Sequence, residues 1–96
     1  MNLDTPVVAG TLESSDVMIT LECGICNGIE IDLTSTVEKQ FGAAIRRVIT
    51  ETLAELGVCD ARVTAVDKGA LDCTLRARVK TVVARAEAAQ ETEVVL

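Results

Sequence analysis

Val7, Ala9 and Thr11 alternate with Val8, Gly10 and Leu12, and a two-residue repeat sends successive side chains to opposite faces of a strand. Pro6 fits at the start or edge of that strand, because it has no N–H to give to a ladder. After the polar break Ser14-Ser15-Asp16, Val17, Ile19, Leu21 and Cys23 alternate with Met18, Thr20 and Glu22, which predicts a second strand with one buried face. Gly24-Ile-Cys-Asn-Gly28 has turn chemistry at both ends. Ile29, Ile31 and Leu33 then alternate with Glu30 and Asp32, a third strand expected to run antiparallel to the second.

At Ser35 the period changes. Ser35 followed by Glu38 predicts a capping box, with the serine oxygen accepting from the Glu38 N–H. Phe41, Ile45, Val48, Ile49, Leu53 and Leu56 recur at spacings of three and four, the apolar stripe of a helix. Gly57 suits its left-handed stop. Ala61, Val63 and Ala65 alternating with Arg62 and Thr64 predict a fourth strand, closed by the turn Asp67-Lys-Gly69. From Ala70 onward, Leu71, Leu75, Val79, Val82 and Ala86 mark a second helix, with Cys73 near its inner face and Arg76, Arg78, Lys80 and Arg85 as a basic exterior. Residues 87–96 are expected to be a frayed helix end and a mobile tail. The order β-β-β-α-β-α predicts an α+β fold. Residues 1–96 should form a single two-layer α/β sandwich, with two helices packed on one face of a small mixed sheet.

Composition narrows the chemistry. A chain of 96 residues fits one domain and buries roughly 60–65% of its unfolded surface, enough for a core without staples. It contains no histidine, tryptophan or tyrosine, and Phe41 is the sole aromatic residue. The usual neutral-pH general base is therefore missing, as is a stacking platform for bases. The net charge of -6 opposes nucleic-acid binding, which depends on basic groups neutralising phosphates. Every acidic residue from Asp4 to Glu38 precedes Lys39, the first basic one; this acidic half either steers a basic partner or simply keeps the chain solvated.

The start Met-Asn-Leu-Asp has no basic flank, and no run of about 18 apolar residues occurs, so a cytoplasmic protein without membrane contact is expected. The four cysteines are then expected to be thiols. Cys23-Gly-Ile-Cys26 could bind zinc or exchange thiols. Zinc would also need Cys59 and Cys73, which occur singly without the paired spacing of a zinc ribbon, so no metal is expected.

Ser14 and Ser15 stand side by side at the predicted hairpin tip, and Ser35 is the only other serine. Serine and aspartate often do no more than form a turn, but an exposed hydroxyl on a rigid hairpin also suits covalent attachment by an external enzyme. Gly10-Thr-Leu-Glu-Ser-Ser-Asp16, together with Val37-Glu-Lys-Gln-Phe-Gly42 and Asp67-Lys-Gly-Ala-Leu-Asp-Cys73, resembles the acyl carrier protein, or gamma subunit, of citrate lyase over about residues 6–86.

The resemblance implies that Ser14 carries 2'-(5''-phosphoribosyl)-3'-dephospho-CoA through a phosphodiester, with no catalytic residue on the carrier itself. The arm's thiol would hold acetyl and citryl thioesters during the cleavage of citrate to acetate and oxaloacetate in citrate fermentation. The implied partners are the alpha (acyl transferase) and beta (citryl lyase) subunits, a prosthetic-group transferase and an acetylating ligase. Physical chemistry alone does not choose between Ser14 and Ser15; the family pattern places the anchor directly after Glu13. Glu13 and Asp16 are read as partner-facing or turn-forming, and the basic exterior of the second helix as a docking surface for acidic partners. The competing reading is a small interaction or thiol-based regulatory domain without a prosthetic group. Discrimination between citrate and a relative such as citramalate is expected to lie in the partner subunits.

Overall fold

The computed structural model describes residues 6–23 and 28–95. The turn at residues 24–27, with Cys26, lies outside the described residues. The elements are β1 (Val7–Gly10), β2 (Val17–Cys23), β3 (Ile29–Ser35), α1 (Glu38–Glu55), β4 (Ala61–Asp67) and α2 (Asp72–Val95). The four strands form one mixed sheet in the order β1-β2-β4-β3. β2 pairs antiparallel with both β1 and β4, whereas β3 pairs parallel with β4. Parallel neighbours need a crossover, which α1 supplies. The direction expected for β3 relative to β2 is correct, but β4 lies between them.

The period-2 residues of the strands line the face beneath the helices. Ala9 pairs with Ile19, Ile19 with Ala65, and Leu21 with Val63. All of these are buried, as are Ile45, Val48, Ile49 and Leu53 of α1 and Leu75, Val79, Val82, Val83 and Ala86 of α2. Burying each large aliphatic side chain stabilises the fold by roughly 1.5–3 kcal/mol. The opposite face, with Glu30, Arg62 and Thr64, carries no helix. There Arg62 and Glu30 oppose each other across the β3/β4 pair, with Arg62 Nη2 3.3 Å from Glu30 Oε2.

Several sequence expectations need correction at the helix edges. Phe41 is 52% exposed, Leu71 69% and Leu56 37%. The α1 stripe is instead completed by Thr52, whose buried hydroxyl donates to the Val48 carbonyl at 2.7 Å and so needs no water. Leu71 precedes α2 rather than lying on its inner face, and Cys73, in the first turn, is exposed. The capping box does not form. Ser35 closes β3, α1 is preceded by Val37 without a side-chain cap, and the Ser35 hydroxyl accepts instead from the Val37 N–H at 3.1 Å.

The stop at Gly57 is as expected. Its φ is 77°, its N–H donates to the Ala54 carbonyl at 3.1 Å, and the Val58 N–H donates to Leu53 at 2.9 Å. Those two bonds make a Schellman motif. Helix α2 continues through the segment read as a tail, to Val95. No described helix is long and apolar enough to cross a membrane.

Candidate functional site

The β1–β2 connection is built around residues that only a tight turn requires. β1 ends at Gly10 with φ 95°, where a Cβ would lie 1.8 Å from the Val17 carbonyl oxygen. Glycine alone lets the two backbones approach this closely. Thr11 then folds back over the loop, its hydroxyl accepting from the Glu13 N–H at 3.2 Å and donating to Asp16 Oδ2 at 2.6 Å. The Asp16 N–H donates to the Glu13 carbonyl at 3.2 Å, which makes Ser14 and Ser15 the central residues of a four-residue turn.

The two serines are not equivalent in backbone. Ser15 adopts φ 65°, the left-handed conformation, and its N–H donates to the Lys68 carbonyl at 2.8 Å. Lys68 returns a bond from its own N–H to the Asp16 carbonyl, also at 2.8 Å, so the β2/β4 pairing extends past the ends of the strands. Both hydroxyls are exposed. Ser14 thus stands on the outer corner of a turn that is pinned immediately behind it.

Asp16 is the centre of that pinning, and only its turn-forming role among the expected ones is seen. Its carboxylate accepts from the Val17 N–H at 2.7 Å and takes both arms of the Arg78 guanidinium, Nε at 3.0 Å and Nη2 at 2.8 Å. The Arg78 hydrogen bonds first, then those from Thr11 and the Val17 N–H, hold the carboxyl well below the usual carboxylate range. Asp16 raises the pKa of Arg78 in return.

The basic exterior of α2 is correspondingly less free than its pattern implies. Arg76 lies 3.3 Å from the Thr52 hydroxyl and 3.5 Å from Glu51, and Arg85 donates to the Val8 carbonyl. Lys80 is exposed.

A second buried carboxylate, Asp67, holds the loop on which Ser15 rests. It is 1% exposed. Its Oδ2 accepts from the Ser35 hydroxyl at 2.8 Å and the Gly69 N–H at 3.1 Å, and its Oδ1 accepts from the Ala70 N–H at 3.0 Å. Asp67 does end the strand as the turn signal implied. Its bond to Ser35 joins residues 32 positions apart and has no local signature.

The arrangement displays a hydroxyl on a rigid turn. Of the two carboxylates flanking the serines, Asp16 is engaged by Arg78, Thr11 and Val17 and is not free to act as a base, whereas Glu13 is exposed. Comparison with known proteins gives this geometry its context. A family model described as an acyl carrier protein, the malonate decarboxylase delta subunit, matches residues 4–86. A citrate lyase acyl carrier protein from Streptococcus mutans is 57% identical over 86 residues, 90% of this chain and 84% of its own. One from Lactiplantibacillus plantarum is also 57% identical over 86 residues, covering 90% of this chain and 88% of its own. The Klebsiella pneumoniae protein of that name is 50% identical over 93 residues, covering 97% and 94%.

The chain belongs to the citrate lyase acyl carrier protein family. Members are named as carriers, and the chain is a carrier subunit rather than a catalytic one. For a carrier of this family, the structure draws together the Ser14 turn, Lys68 and Arg78. Among the described cysteines, Cys23 is buried in β2 while Cys59 and Cys73 are exposed, and the described residues contain no cluster of three or more side chains suited to a metal. Thr11, Ser35 and Asp67 complete the site; the sequence placed them in a strand, at a helix cap and at a turn, and missed the hydrogen bonds by which they hold it. A threonine and an aspartate bracketing a turn were its one visible signal.

Proposed function

We propose that the chain is the acyl carrier subunit of citrate lyase, acting in the cytoplasm, and that Ser14 anchors 2'-(5''-phosphoribosyl)-3'-dephospho-CoA through a phosphodiester. The observation that carries this reading is the exposed Ser14 corner, fixed behind by the Ser15 N–H to Lys68 and beside by Asp16 to Arg78. A carrier needs its anchor accessible to an attaching enzyme and its tether rooted in a rigid base. The residues present fit the group. Arg78 already neutralises Asp16, which leaves Glu13 as the one anion beside a phosphodiester, and the backbone carbonyl of Lys68 holds Ser15 from behind, so the exposed Ser14 hydroxyl is left clear for attachment.

The arm, when bound, supplies a terminal thiol that holds acetyl and citryl groups as thioesters. Ser14 Oγ is its anchor, a prosthetic-group transferase makes the bond, and an acetylating ligase charges the thiol. The alpha subunit (acyl transferase) and beta subunit (citryl lyase) carry out the chemistry on citrate. Tethering lets one acyl group meet both partner sites at an effective concentration on the order of millimolar for a short flexible link.

Peptide mass spectrometry of the segment containing both serines, taken from the loaded complex, tests the assignment. The arm is expected on Ser14, Ser14→Ala is expected to stay folded and unloaded, and Ser15→Ala is expected to be loaded. An arm on Ser15, or on the Ser14→Ala variant, would show the assignment to be wrong.

A further inference from the structure

The loop that receives Ser15 leads directly into an apolar groove. The groove has a volume of about 390 Å³ and runs between the start of α1, with Val37 just before it and Phe41, Ala44 and Ile45 in it, and the entry to α2, with Gly69, Ala70, Leu71 and, as its one charged residue, Asp72. Its rim holds the chain's sole aromatic residue, Phe41 at 52%, and the most exposed large apolar side chain among the described residues, Leu71 at 69%. Leu12, in the Ser14 loop itself, is also exposed. One hydrogen bond, Ser15 N–H to Lys68, and one chain step to Gly69 connect the anchor turn to the groove wall.

We propose that this groove is the resting site of the arm, taking the amide-and-methylene portion of its coenzyme A-type chain against Phe41 and Leu71; the proposal rests on Ser14 being the anchor. Two observations favour a tethered chain over a protein surface as occupant. The volume falls within the roughly 300–1,000 Å³ of small-molecule clefts. The groove wall also begins one residue after Lys68, to which the anchor turn is bonded, so an occupant held at Ser14 is presented at high effective concentration and needs little intrinsic affinity. Docking there would withdraw Phe41 and Leu71 from water.

The test compares amide chemical shifts of the isotopically labelled full chain before and after enzymatic loading, with intact mass and peptide mapping run on the same sample. Loading is expected to shift Phe41 and Ala44 on α1 as well as the turn. Phe41→Ser and, separately, Leu71→Ser are expected to abolish the α1 shifts while loading and the shifts at Glu13–Asp16 persist. Both side chains are largely exposed, and unchanged shifts across β2 and β4 would certify the fold. A loaded Ser14 with shifts confined to the turn would overturn the groove assignment alone. Groove shifts that appear only after partner subunits are added would overturn it in favour of a protein interface. If mapping finds no arm on Ser14, the anchor assignment falls, and the groove proposal with it.

Discussion

Arg78 grips Asp16 with two parallel bonds, Nε to Oδ1 at 3.0 Å and Nη2 to Oδ2 at 2.8 Å, joining residues 62 positions apart. The pair ties the turn that displays Ser14 to the second turn of α2. Paired fork geometry fixes orientation as well as distance, so the corner position of Ser14 depends on a helix distant in sequence.

That dependence gives a pH signature. The folded-state pKa of Asp16 lies below its unfolded value, so its contribution is present in full above the unfolded carboxylate range, near pH 4, and is lost as pH falls through the folded value. Asp16→Asn should therefore be less stable than the parent at neutral pH, with the difference shrinking as the pH drops below about 4. Urea midpoints measured from pH 7 to 2 would check this; a difference that stays constant to the lowest pH would contradict it.

Arg76 and Arg78 of α2 are not neutral probes of docking. Arg76→Glu would face Glu51 and Glu55, and Arg78→Glu would face Asp16, so both should lower the melting temperature of the isolated chain. Lys80→Glu is the cleaner probe. It should change stability by less than about 0.5 kcal/mol, and a salt-sensitive loss of assembly by this variant, measured by sedimentation, would support a basic docking surface.

Asp67→Ala removes three hydrogen bonds from a buried carboxylate. Leaving the Gly69 and Ala70 N–H groups and the Ser35 hydroxyl without this partner should cost about 2–3 kcal/mol. For a domain of this size that is a fall of roughly 10–20 °C in melting temperature. Ser35→Ala should cost about 1 kcal/mol. Equal losses for the two variants, read by calorimetry, would show that the loop bonds contribute little.

Gly10 and Gly57 both adopt positive φ, yet alanine should separate them. At Gly57 a Cβ meets nothing within 4 Å, so only the left-handed penalty of about 1–2 kcal/mol applies. At Gly10 the new atom would overlap the Val17 carbonyl, the hairpin would have to open, and expression as folded protein should fail or fall sharply. Similar unfolding midpoints for the two variants would refute the clash.

Thiol reactivity should follow exposure. Cys59 and Cys73 should react with a disulfide reagent in the native chain, and Cys23 only on unfolding. Stoichiometric tightly bound zinc, measured by elemental analysis, would overturn the reading of the cysteines as structural thiols.

The amino-acid pattern by itself determined the element order, the buried face of β2 and β4, the stop at Gly57 and the turn that carries Ser14. Each of these is encoded within a few residues, because side-chain alternation, helical stripes and glycine conformations follow from neighbouring backbone geometry. The tertiary structure alone decided that β4 separates β2 from β3, since strand adjacency depends on where a crossover helix packs.

It also moved Ser35 from a helix cap to Asp67 and left Phe41 and Leu71 exposed beside the loop that holds Ser15. Likewise it turned Arg78 from a surface charge into the partner of Asp16. Sequence periodicity reports whether a side chain points inward or outward along its own element. A charge, a hydroxyl or an aromatic ring at the edge of an element is placed by whatever distant segment comes to lie against it, and no local pattern carries that information.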